Sequence, residues 1–133
     1  FLRSLALVRR TTPPDARFLT TMPEPLYYHT GRRSISTERA TWEPELLAHL
    51  RERGVEYVLL TPTAGWIRER LAPRCDELVV VGSLPERTAL LRIAGPAENP
   101  SSEAGPESTA CDVIASHQEE DRRGGPTPEA SGP

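Results

Sequence analysis

Residues 55–61, VEYVLLT, constrain the fold more than any other stretch of the chain. From Tyr57 onward they are almost continuously apolar, with β-branched and aromatic side chains, as in a strand buried on both faces. Such a strand needs helices above and below the sheet. Leu46, Leu47 and Leu50 recur at the i, i+1, i+4 spacing of a helix face, Gly54 stops that helix, and Pro62 ends the strand. The next helix is expected over residues 64–71, capped by Thr61 or Thr63 and closed by Pro73.

The flanking segments extend this unit. Residues 1–10 fit a short amphipathic helical turn, the end of a preceding element or a linker. A strand is expected over 18–22, ended by Pro23, then one or two helical turns over 24–30 stopped by Gly31. Residues 33–36 form a weaker strand candidate, 78–81 a strand ended by Gly82, and 88–93 the last strand. The short loop 83–87 between those last two allows a hairpin and forbids a helical crossover. The expected architecture over residues 11–96 is a small three-layer α/β sandwich, with a mostly parallel sheet and an antiparallel C-terminal edge strand.

Residues 98–133 differ in kind. They hold five prolines, four glycines, eight acidic residues and two basic ones. Val113 and Ile114 are their only aliphatic pair. Residues 97–133 therefore read as a disordered acidic tail, too poor in apolar surface to offset its ordering entropy. The tail has a net charge of −6 and residues 1–97 one of +3. A contact between the two parts is open, as is a purely solubilising tail. With an apolar helical turn at Phe1 and this tail at the other end, the chain reads as a terminal piece of a larger protein.

Composition excludes several classes. All basic residues are arginine, yet no arginine cluster sits on an aromatic-rich strand, so nucleic acid is not an expected partner. Cys75 and Cys111 show no CxxC or Cys/His spacing, so no metal is expected; the sequence permits a disulfide between them without requiring it. No apolar run reaches the length of a membrane span. No dinucleotide fingerprint or catalytic set is visible, and no cofactor is expected. Residues 61–65, TPTAG, precede a helix but lack the glycines and lysine of a phosphate-binding loop.

The side chains that stand out lie in residues 17–33, RFLTTMPEPLYYHTGRR. Tyr27, Tyr28 and His29 follow the first strand, where open sheets bind ligands; they suit a polar ligand such as a sugar or a phosphate, or simple packing and surface roles. Arg32 and Arg33 follow Gly31 and suit phosphate, carboxylate or anionic lipid, or a solvated turn. Trp42 and Trp66, both at helix starts, read as anchors against the sheet, and Asp76 and Glu77 as solvated.

The order of these pieces resembles the soluble domain that follows the last membrane helices of polytopic glycosyltransferases. These are the polyprenyl-phosphate-sugar-dependent enzymes of the protein mannosyltransferase and aminoarabinose transferase type. The matching pieces are residues 12–19, the corner 27–32, the helix-to-strand step 53–59 and the late strand 90–93, within residues 8–94. The resemblance implies a C-terminal, extracytoplasmic accessory domain, membrane-associated through its parent and inactive alone. The family's catalytic carboxylates lie in a loop between early membrane helices, outside this chain. The implied partners are the membrane domain of the same polypeptide and anionic lipid or polyprenyl-phosphate sugar. The alternative is a free-standing α/β module that binds protein or a small ligand.

Overall fold

The computed structural model describes residues 2–95 and 109–124. Helix α1 (Leu2–Thr11) leads into strand β1 (Arg17–Thr20), helix α2 (Pro23–Thr30) and strand β2 (Arg33–Ser34). Helices α3 (Thr37–Thr41) and α4 (Leu46–Glu52) precede strand β3 (Tyr57–Leu60). Helix α5 (Gly65–Leu71) and a 3-10 segment (Ala72–Glu77) lead to strands β4 (Leu78–Leu84) and β5 (Thr88–Ile93), and helix α6 spans Ala110–Gly124.

The sheet order is β2-β1-β3-β5-β4. β1 pairs in parallel with β2 and β3, and the hairpin β4–β5 completes the sheet as its antiparallel part, with β5 on β3 and β4 at the edge. β3 is central and wholly buried, as its composition predicts. Its side chains alternate between two cores. Val58 and Leu60 face the core built with α3, α4, α5 and α6. Tyr57 and Leu59 face the core built with α1 and α2, where Phe18 stacks on Tyr57 at 5.3 Å between ring centroids. The expected three-layer α/β sandwich is the observed one.

Three boundaries differ from the sequence reading. The helix before β3 is two helices: Ser36 accepts a hydrogen bond from the Arg39 amide and caps the short α3, and α4 starts only after Pro44. β4 runs past Gly82 to Leu84, with a register shift between Val80 and Gly82. Gly82 is a point of close approach, because a Cβ there would lie 2.8 Å from Leu7 of α1. β2 joins the sheet, through two residues only.

Both ends of the described chain belong to the folded body. Leu5, Leu7 and Val8 of α1 are buried under the sheet, so residues 2–10 act as part of the domain. The reading of 97–133 as a disordered tail does not extend to α6. There Ala110, Val113 and Ile114 enter the core, and a disulfide joins Cys111 to Cys75. Thr109 caps this helix reciprocally with Asp112. The remaining tail residues, 96–108 and 125–133, lie outside the described residues. Fully burying Val113 and Ile114 contributes about 1.5–3 kcal/mol each. Ordering the backbone costs about 1–2 kcal/mol per residue. The crosslink, closing a separation of 36 residues, lowers the entropy of the unfolded chain and so helps hold α6 in place.

Glu77 ties the same region to α4. It accepts from Arg74 Nε at 2.6 Å and from Arg51 Nη1 at 2.7 Å, so the carboxylate expected to be solvated is doubly paired. The Arg74 hydrogen bond, followed by that of Arg51, holds the Glu77 carboxyl below its ordinary value of 4.5.

Reduction, or Cys75→Ser, should lower unfolding stability by about 2–4 kcal/mol. In hydrogen exchange, it should strip protection from α6 before β3; unchanged α6 protection in the reduced protein would contradict this role. The depressed Glu77 value has a definite pH sign: its stabilisation is present above 4.5 and fades as pH falls through the lower folded value. Glu77→Gln should therefore flatten the acid limb of the stability profile, as read by denaturant melts across that range.

Candidate functional site

Helix α2 is set by its ends. Pro23 occupies the first turn, and Gly31 adopts a left-handed φ of 76° that lets its amide donate to Tyr27 O at 2.8 Å. Leu26 is the side chain driven inward. Successive residues rotate by about 100°, so Tyr27 and Tyr28 turn away from the Leu26 side, and His29 is exposed as well. Tyr28 is 85% exposed and Tyr27 53%. His29 meets the Tyr28 ring edge-on at 5.2 Å. Arg33, the first residue of β2, lies over the Tyr27 ring at 5.6 Å, within cation–π range. An open groove of about 880 Å³ is bordered by Pro23, Pro25, Tyr27, Tyr28, His29 and Arg33, with Glu24 the carboxylate on its rim.

Arg32 is not part of this group. Its side chain is buried, and it donates to Thr12 Oγ1, to Thr12 O at 2.6 Å and to Thr30 O at 2.8 Å. It joins the ends of α1 and α2. Tyr27, Tyr28, His29 and Arg33 are thus brought together, while Arg32 holds the scaffold beneath them.

The strand topology marks a second location. β1 leads to α2 on one side of the sheet and β3 to α5 on the other, so a crevice opens at the ends of these adjacent parallel strands. Three hydroxyls fill it. Thr21, Thr61 and Thr63 lie 2.9–3.1 Å from one another. Each hydroxyl has one proton, so three mutual bonds consume all three and leave no donor for a ligand.

Trp42 is placed differently from expectation. It is 80% exposed, because Arg70 clamps the carbonyls on either side of it, Thr41 O at 2.6 Å and Glu43 O at 2.7 Å. Trp66 does pack against the core, with the Arg70 guanidinium 6.0 Å from its ring. Among the described residues no group of three or more His, Cys, Asp or Glu side chains is placed to hold a metal ion.

The sequence reading missed α1 as a contributor to the outer surface. Ser4, Leu5, Leu7 and Val8 are buried, which leaves Leu2, Arg3, Arg9 and Arg10 outward beside α2. The signal was the helical spacing of Leu5 and Val8, which assigns the arginines to the opposite stripe.

Fold and site together define a small α/β sandwich domain with an aromatic and cationic outer face on its α1/α2 layer. Comparison of the chain with protein-family models, with curated proteins and with solved structures gave no match.

The two neighbouring arginines should separate cleanly. Arg32→Ala leaves Thr12 O and Thr30 O without this donor in a buried joint, and should cost about 2–4 kcal/mol in chemical denaturation. Arg33→Ala, at an exposed site, should change stability by less than about 0.5 kcal/mol. Equal costs would contradict the assignment of one to the scaffold and the other to the surface.

Proposed function

We propose that this chain is a non-catalytic accessory domain on the extracytoplasmic side of a polyprenyl-phosphate-sugar-dependent membrane glycosyltransferase. It would lie against the membrane domain of the same polypeptide. The observation that carries this reading is the Cys75–Cys111 disulfide, which fastens α6 to the body of the domain. Structural disulfides persist in oxidising compartments outside the cytosol. The serial resemblance of the corner and strand motifs supports the family. The outward tyrosines of α2, with Arg33 of β2 beside them, support a surface that meets a membrane or a protein at its edge. No helix among the described residues is long and apolar enough to cross a membrane. In this reading the chain shapes the acceptor-side approach to the parent enzyme and leaves chemistry to the membrane domain.

The open groove on α2 favours a second reading, a free-standing module that binds protein or a small ligand. One experiment separates them. The full-length parent polypeptide is expressed with either alkaline phosphatase or a fluorescent protein fused after the chain. Phosphatase activity, together with an oxidised Cys75–Cys111 pair, is the expected result. A fluorescent fusion with both thiols reduced, or a start codon close upstream of Phe1, would sink the transferase reading.

A further inference from the structure

The outer surfaces of the two helical layers differ in kind. Among the described residues four large apolar side chains are exposed: Leu2, Tyr27, Tyr28 and Trp42. Three of them lie on α1 and α2, which pack side by side over one face of the sheet. The same layer presents Arg3, Arg9, Arg10 and Arg33 outward, and none of these makes an ion pair with a described residue. Against them stand Glu24 and, in the following loop, Asp15. The opposite layer is richer in acids, with Glu38, Glu43, Glu45 and Glu52 on and around α3 and α4.

We infer that the outer face of the α1/α2 layer docks on an anionic lipid bilayer, with Tyr27 and Tyr28 at headgroup depth and Arg3, Arg9, Arg10 and Arg33 against lipid phosphates. Tyrosine suits this depth, with an apolar ring and a polar tip. Arginine is attracted to anionic headgroups and pairs with phosphate through a planar fork. The contact of Arg33 with Tyr27 holds this cation beside the ring that would enter the interface. Arg32, tying α1 to α2, keeps the two helices in one plane, so their side chains reach a flat surface together. Trp42 is on the other layer and does not take part. The inference rests on the membrane-apposed part of the function proposed above.

The test uses the 133-residue chain with large vesicles, one set of phosphatidylcholine and one with about 30 mol % phosphatidylglycerol, read by co-sedimentation. Binding to the anionic vesicles is expected, weakening as salt shortens the Debye length. Each arginine at the surface is worth about fivefold, so Arg33→Ala should weaken binding about fivefold and Arg9→Ala with Arg10→Ala about 25-fold. Tyr28→Ala should weaken binding, and Trp42→Ala should leave it unchanged. All these side chains are exposed, so circular dichroism should report an intact fold. No binding to anionic vesicles, equal binding to both vesicle types, or indifference to the arginine variants would overturn the inference. So would a loss on Trp42→Ala equal to that on Tyr28→Ala. A cytosolic fusion result sinks the transferase assignment and leaves vesicle binding standing. Vesicle indifference sinks the docking face and leaves an extracytoplasmic placement standing.

Discussion

Backbone carbonyls outside the sheet ladder and helices need partners, and in this chain guanidiniums collect them. Arg32 joins Thr12 O to Thr30 O, Arg68 joins Thr61 O to Arg87 O, and Arg70 joins Thr41 O to Glu43 O. Arg32 and Arg68 each reach two carbonyls far apart in sequence, and Arg70 reaches from α5 to two carbonyls flanking Trp42. A planar fork with several donors in fixed directions can do this, whereas a lysine ammonium at the end of a flexible stem holds two acceptors less rigidly. Arg68 has the largest burden. It is fully buried, and one of its carbonyl partners belongs to Arg87, in a hairpin turn where Glu86 and Arg87 both adopt positive φ. The buried cation and the strained turn make one joint: the carbonyl that the turn presents inward is one the guanidinium needs.

This use of arginine divides the basic residues into two populations. Inward ones fasten layers, and outward ones set the surface potential. Arg32 and Arg33 show how sharply the division falls. Gly31 turns the chain out of α2, and the two following residues lie on opposite sides of that turn, one under α1 and the other over Tyr27. The α1/α2 layer therefore keeps Arg3, Arg9, Arg10 and Arg33 outward, while across the sheet Arg51 and Arg74 are absorbed by Glu77. The asymmetry between layers follows from where arginines are used up as much as from where they occur.

The architecture was legible because it rests on periodicity. VEYVLLT could only be a strand covered twice, and the short loop before residue 88 admitted only a hairpin. Gly31 and Gly54 stop their helices with φ of 76° and 73°, the conformation that a glycine at such a point suggests. What periodicity cannot show is which polar side chain faces inward. Arg32 and Trp42 were each assigned to the wrong side, because hydrogen-bond partners distant in sequence set both: the Thr12 carbonyl for Arg32, and the Arg70 guanidinium for the backbone around Trp42. α6 was hidden for another reason. Its apolar content is too low to announce a helix, and its docking depends on a disulfide that sequence permitted without requiring. In the candidate site, the tyrosines, the histidine and Arg33 were identifiable as unusual, but their common exposure needed Leu26 to be fixed as the buried side of the helix.

The place where this fold class usually binds ligands is lined here by hydroxyls that bond to one another. Thr21, Thr61 and Thr63 spend their protons on one another at the divergence of β1 and β3, and Thr20 accepts the Met22 amide just behind them. This ring tethers the loop entering α2 to the loop entering α5, so it braces the start of the helix that carries Tyr27 and Tyr28. A ligand seeking a proton from these hydroxyls would have to break the brace first. The chain's capacity for recognition therefore sits one step further along, on the outer face of the helix that the brace steadies. There, exposed rings lie beside arginines that make no ion pair with a described residue.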